Sequence, residues 1–386
     1  MSPSALFVTT VPITLEAFLI PFAEHFRARG WRVDALSHEA TQHAPIHAVF
    51  DNRYDITWNR NPLSPSDLFD TWARVRRVVV EGGYDIVHVH TPIAAFMTRY
   101  ALRTLRGGGP PAVIYTTHGF HFYKGQALLG HTAFRTLERM AAHWTDFIVT
   151  INEEDFEAAR DFRGIPAERV RYIPGIGVDV GRFAEGNVSA EARAGLRREF
   201  TVSDDAFMLA MIGEFAPVKR HAHLLDALSR TANKNVVLLL VGEGLLEPEI
   251  REEVAKLGLA DRVRFAGYRR DIPTVLAASN ALVLVSHREG LARSVLEAMA
   301  AGKPVIGTET RGIADAIGDS AGWIVPKNDA DALAAAIDAA AANRDEAHRR
   351  GAAARVRAST EFSIECILAA YDALYREALA PGSRRT

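Results

Sequence analysis

A single cysteine, Cys366, among 386 residues leaves no partner for an internal disulfide and no cysteine cluster for a metal. That usage fits a reducing compartment, so a cytoplasmic setting is expected. Neither sign of charge dominates: 45 Lys and Arg stand against 47 Asp and Glu, a formal net charge of -2. No excess of cations exists to neutralise a phosphate backbone, and nucleic acid is not an expected partner. Long hydrophobic runs are missing too. Val236–Val241 and residues 281–285 are strand-length, far short of the roughly 20 apolar residues that span a bilayer. Any membrane contact is therefore expected to be peripheral, at the inner face. The first thirty residues carry no basic stretch leading into an apolar core, since Glu16, Glu24 and His25 interrupt it, and no secretion signal is expected.

What is present is the composition of a globular enzyme: 48% hydrophobic and 24% charged residues, with 17 prolines and 28 glycines. The length predicts two domains of ordinary size. Strand-length apolar runs alternate with helical segments, from residues 5–9 and 15–29 through 86–89 and 93–105 to Phe147–Thr150 and 170–173. Such alternation predicts βαβ units and a parallel sheet covered on both faces. Polar, turn-rich residues follow, and a second alternating series starts at Phe207. The fold class is thus α/β, with two doubly wound, Rossmann-like domains facing across a cleft. Their expected bounds are 1–180 and 206–362, with 181–205 as linker and a last helix, 363–379, packing back on the first domain.

Within the second series, residues 287–306 set Glu289 and Glu297 eight positions apart between two apolar runs. Residues 281–285 read as a strand, Glu289-Gly290 as the turn after it, 291–300 as a helix, and Gly302-Lys303-Pro304 as its stop. Glu289 is then in the loop at a strand's carboxyl end, with Glu297 about two turns down the helix. Ligands bind at that edge of an open α/β sheet, and a helix start offers free N–H groups to phosphate. His118 follows a strand of the first series in the same way, within Thr116-Thr117-His118-Gly119. Of His88 and His90, on one strand, one is expected in the interior.

These segments occur together with Ile86-Val87-His88-Val89-His90-Thr91, Val149-Thr150-Ile151-Asn152, Gly177-Val178-Asp179, the loop from Gly213 to Lys219, Val241-Gly242-Glu243-Gly244 and Thr310-Arg311-Gly312. In that order, over essentially the whole chain, they resemble the retaining, nucleotide-sugar-dependent glycosyltransferases of family 4, which have the GT-B fold. The Gly-Glu-Phe loop at Gly213, with His221 and Thr310-Arg311-Gly312, is similar to the bacterial branch that builds capsular and exopolysaccharide repeat units.

The resemblance implies roles. Glu297 would hold the ribose hydroxyls, Glu289 the hydroxyls of the transferred sugar, and Lys219 the diphosphate, with Gly213, Gly290 and Leu291 forming the donor-binding loops. His118 would contact the transferred sugar at the reaction centre. The chain departs from the family where an arginine often follows Gly213, because Glu214 stands there; Arg220, Arg293 or Arg311 is expected to supply the missing cation. The first domain would be the acceptor side. No cofactor and no metal is implied, only a nucleotide-sugar co-substrate, expected to be UDP-linked. The acceptor is expected to be a saccharide or lipid-linked saccharide; the alternatives are a small soluble glycoside or, in another class, a non-catalytic nucleotide-sugar-binding protein. No oligomeric state is read from the sequence.

On the acceptor side, His121, Tyr123 and Lys124 lie in an aromatic loop directly after His118. Three aromatics there would be core or, if exposed, a sugar- or lipid-binding lid. Phe18, Phe22 and Phe26, at four-residue spacing, are expected on the sheet rather than in a membrane. His88, His90, His118 and His121 have no Asp or Glu at ligand spacing and are not expected to hold a metal. Asp329-Ala330-Asp331 is expected to be a helix start.

Overall fold

The computed structural model describes residues 2–58, 65–105, 111–123 and 126–381, which form two compact α/β units. Unit 1 comprises Met1–Ile176 and Ile367–Thr386; unit 2 comprises Gly177–Cys366.

Seven strands build the sheet of unit 1: β1 (Ser4–Val8), β2 (Arg32–Ser37), β3 (Arg53–Asp55), β4 (Ile86–His90), β5 (Ala112–Thr117), β6 (Phe147–Thr150) and β7 (Val170–Tyr172). They run in parallel in the order β3-β2-β1-β4-β5-β6-β7. Every residue of β1, β4, β5 and β6 is buried, as expected where helices cover both faces of a parallel sheet. Unit 2 repeats the plan with β8 (Phe207–Ile212), β9 (Val236–Val241), β10 (Val263–Phe265), β11 (Ala281–Leu284), β12 (Val305–Thr308) and β13 (Gly322–Val325), in the order β10-β9-β8-β11-β12-β13. The predicted α/β class and doubly wound topology are what the chain adopts.

In each unit the winding reverses once, between β1 and β4 and between β8 and β11. Helices leave neighbouring strands there in opposite directions, which opens a crevice at the strands' carboxyl ends. The hydroxyls of Thr10 and Thr91 meet at 2.7 Å across the reversal in unit 1. Lys219 and Glu289 meet across the one in unit 2.

Several segments differ from their expected form. Residues 181–205 are not a free-standing link but part of unit 2, with Leu196 of helix Ala190–Glu199 in its core. The Arg197 guanidinium fastens them, donating to the carbonyls of Ala206 and Ala278 at 2.8 Å each. The last helix, Ile364–Leu379, begins in unit 2, but from Ile367 it belongs to unit 1, where Tyr371 and Tyr375 are buried. The helix expected over 15–29 runs from Pro12 to Arg27 with a π turn at Leu15–Leu19. Pro21 has no N–H to continue an α-helical ladder, and the wider turn directly before it absorbs that loss.

Candidate active site

In unit 2 the loop after β8 contains Gly213, a short 3-10 helix Pro217–Lys219, and Arg220. The loop after β11 runs from Val285 to Ala292 and leads into helix Arg293–Ala300. The His287 N–H donates to the Val218 carbonyl at 2.8 Å and ties the two loops together. Beside that bond Lys219 Nζ donates to Glu289 Oε1 at 2.6 Å, both side chains four-fifths or more buried. A Cβ on Gly213 would lie 3.3 Å from Lys219 Cε, so the glycine leaves the lysine stem its path.

The helix starts two residues later than expected, at Arg293, so Glu297 is just over one turn into it rather than two. Glu297 is 7% exposed and accepts a 2.9 Å bond from Arg293 Nε. Burial raises its pKa; Arg293, through charge and hydrogen bond, and the more distant Arg182 oppose the rise. No side chain caps this helix. Its entry loop is held from behind, because the hydroxyls of Thr308 and Thr310 donate to the Ser286 carbonyl at 3.3 and 2.8 Å. Gly312, at φ 76°, presses on Gly290 so closely that a Cβ would overlap the Gly290 carbonyl oxygen. The Thr310-Arg311-Gly312 motif thus shapes the backbone at Gly290 and Leu291.

Three arginines were candidates for the cation absent at Glu214, which is itself exposed. Arg293 is tied to Glu297 and Arg311 is buried. Arg220 is half-buried and adjoins Lys219, in a left-handed backbone conformation at φ 58°. His221 is 3% exposed against the Phe215 ring, and burial, with Lys219 nearby, lowers its pKa to about 4.

In unit 1, His88 and His90 are both buried, where only one was expected inside: residues two apart on a strand point to the same face. Their ring centroids are 4.1 Å apart. His88 Nδ1 bonds the Tyr375 hydroxyl at 2.6 Å and its Nε2 the Thr116 hydroxyl at 2.8 Å. His90 Nδ1 bonds His118 Nε2 at 3.1 Å. The His118 ring, directly after β5, meets the His90 ring edge to edge across that bond, with centroids 5.3 Å apart, and lies nearly parallel to the Phe18 ring at 5.7 Å. Burial pushes the pKa of His88 down to about 3, that of His118 to about 4, and that of His90 well below the usual value. The partners of His118 were not anticipated; the two-residue spacing of His88 and His90 was the available signal.

Both nitrogens of His88 are engaged by hydroxyls, and His121 is exposed beside Phe134. Among the described residues no group of three His, Cys, Asp or Glu side chains could hold a metal ion. Asp329 accepts from the Ala332 N–H at 2.8 Å, as the cap of helix Ala330–Ala342. Of the aromatic loop, Phe120 and Phe122 are core, Tyr123 is half-buried, and Lys124 lies outside the described residues. Phe22 and Phe26 pack inside against Tyr371 and Tyr375. No helix among the described residues is long and apolar enough to cross a membrane.

Residues 15–182 match the family model described as Glycosyltransferase Family 4, and residues 193–357 that described as Glycosyl transferases group 1. The putative glycosyltransferase EpsD of Bacillus subtilis is 33% identical over 341 residues, 88% of this chain and 87% of the relative. An Escherichia coli UDP-Gal:alpha-D-GlcNAc-diphosphoundecaprenol alpha-1,3-galactosyltransferase is 29% identical, over 66% of this chain and 65% of its own. The crystal structure of Anabaena HepE in complex with UDP and glucose shares the fold, with a TM-score of 0.79 at 20% identity over 97% of this chain and 99% of that one. With both halves matched and EpsD similar along most of its length, the chain belongs to the family 4 glycosyltransferases.

Proposed function

We propose that this glycosyltransferase moves a sugar from a UDP-linked donor to a lipid-linked saccharide, with retention of configuration. The donor half rests on the Lys219–Glu289 pair at the winding reversal of unit 2. Breaking the bond to a nucleoside diphosphate builds negative charge on the leaving phosphates, and fixed donors and cations there lower the barrier. Lys219, Arg220 and the uncapped start of helix Arg293–Ala300 supply them. No divalent metal is needed in this scheme. Glu289 accepts from hydroxyls of the transferred sugar and keeps Lys219 aimed; Glu297 accepts from the ribose diol. Gly213, Gly290 and Leu291 provide close-packed backbone at the donor. His118 contacts the sugar, with His121 and Tyr123 on the acceptor side.

UDP as the nucleotide is supported by the HepE complex, and a polyprenyl-diphosphate carrier by the name of the Escherichia coli relative. The chain offers a surface suited to such a carrier on helix Leu128–Ala142 of unit 1. Leu128 and Leu129 are 81% and 86% exposed there, joined by Phe134, Leu137 and Met140. The flanking Arg135 and Arg139 are half-buried, and Glu138 is buried against Arg99. An apolar row with basic flanks fits the interface of an anionic membrane, where the carrier resides.

Calorimetric titration with a panel of nucleotide sugars in EDTA, with released nucleotide monitored, tests this reading. UDP-sugars should bind without metal, and turnover should require a lipid-linked acceptor. Glu289→Ala should abolish transfer with the fold intact. Glu297→Ala should weaken UDP binding roughly 10- to 100-fold, the worth of hydrogen bonds to a charged acceptor. Normal kinetics in both variants would overturn the assignment. Binding without turnover would favour a nucleotide-sugar-binding protein, and transfer to soluble acceptors alone a small-glycoside enzyme.

A further inference from the structure

His90 is 2% exposed, and its Nε2 has no hydrogen-bond partner. The rings of His88 and Phe7 pack against its own, tilted by 37° and 58°, at 4.1 and 6.0 Å between centroids. The other nitrogen, Nδ1, bonds His118 Nε2. Burial keeps both rings neutral at neutral pH, so each carries one proton and one proton lies between them. Were His118 the donor, the proton of His90 would sit on its Nε2 as an orphaned, buried N–H. That group would carry the whole desolvation penalty of a donor, and such orphans are rare in folded proteins. With His90 Nδ1–H as donor, only a lone pair is left at Nε2.

We infer that His90 is a positioning residue that holds His118 in the Nδ1–H tautomer, so that His118 meets its ligand as a hydrogen-bond donor and not as a base. This deepens the proposed role of His118 and rests on that role. Nε2 of His118 is occupied, which leaves Nδ1–H for the ligand. The group that receives it must carry a lone pair: a hydroxyl oxygen of the transferred sugar. Phe18, nearly parallel to the His118 ring at 5.7 Å between centroids, packs beside it. His88 anchors the stack from below, because Tyr375 and Thr116 fix its own ring.

The test is the ring-nitrogen spectrum of the full chain, read by two-bond nitrogen–proton correlations. His118 should show Nδ1 protonated and Nε2 bare at pH 7, unchanged between pH 6 and 8. In His90→Leu the tautomer should shift and kcat fall by tenfold or more, with the donor KM little changed. His90→Asn should restore most of kcat, since its Nδ2 is attached to Cγ as Nδ1 is in histidine. A protonated Nε2 or a charged His118 ring in the wild type overturns the inference even if both variants misfold. So does a His90→Leu protein with an unchanged His118 tautomer. Full transfer by His118→Ala would remove the role of His118 in the reaction, while the nitrogen shifts still decide its tautomer.

Discussion

At Arg220 the backbone is held at φ 58°, a region in which a side chain bearing Cβ costs about 1–2 kcal/mol and which glycine adopts freely. Strain of this kind persists where the surroundings over-determine it, often beside a ligand. Retaining arginine here is understandable if the guanidinium supplies the second phosphate cation. Arg220→Gly should therefore leave thermal stability unchanged or raise it by up to about 1 kcal/mol, while UDP-sugar affinity falls about tenfold. Thermal shift and calorimetry on the same preparation would decide; equal affinity in the two proteins removes Arg220 from the site. The residue types of this site were readable in the sequence. Glu289 and Glu297 carry a recognisable spacing, the family resemblance marks Lys219, and loops after strands in an α/β pattern are where such groups act. The pairing of Lys219 with Glu289, 70 positions apart, was not readable, because it exists only where β8 and β11 lie side by side. The bond between His90 and His118 was hidden for the same reason: it joins the ends of the adjacent β4 and β5.

The buried strands were legible at the level of elements, since β4, β5 and β9 are buried throughout and β8 in all but its last residue, Ile212. The three-residue edge strand β3 was not: Arg53-Tyr54-Asp55 has no apolar period and pairs with β2 alone. Helix starts also shifted. Leu291 and Ala292 continue an apolar pattern, but the entry loop is pinned by Gly312 and the two threonines, and the helix begins only at Arg293. Phe18, Phe22 and Phe26 met the expectation of packing inward, two of them fully; the proposed lipid contact falls instead on helix Leu128–Ala142, whose apolar side chains are exposed. Replacing Leu128 and Leu129 together by serine touches no core contact, so the cost to stability should stay within about 0.5 kcal/mol per site. Each leucine contributes on the order of 1 kcal/mol on partial burial in lipid. Binding to phosphatidylglycerol vesicles in flotation should thus weaken at least about tenfold, with transfer to a lipid-linked acceptor dispersed in detergent unaffected. Undiminished flotation of the double variant would place the lipid contact on another surface.

Over the whole molecule, the described histidines whose pKa is lowered by burial are distributed unequally between the units. His88, His90 and the half-buried His118 lie in unit 1, and His221 and the half-buried His223 in unit 2. All five have pKa values lowered by burial, to about 3 for His88 and about 4 for His118 and His221. An unfolded histidine titrates near 6.5, so below that pH the unfolded chain binds protons that the native units refuse. Stability then rises with pH across this window and, read the other way, is lost as pH falls from about 6.5 towards 4. Each group costs up to roughly 1 kcal/mol per pH unit, and unit 1 carries three of them against two in unit 2, of which His223 is only half-buried. Acid should accordingly unfold unit 1 first. Tryptophan gives a selective probe, because Trp31, Trp58, Trp72 and Trp144 are in unit 1 and only Trp323 in unit 2. Thermal melts at pH 7, 6 and 5 should show the tryptophan-fluorescence midpoint falling faster than the later part of the helical circular-dichroism transition. A fluorescence midpoint that tracks circular dichroism at every pH would mean that the units unfold together. One that does not move between pH 7 and 5 would mean that the stacked histidines take up protons in the native state.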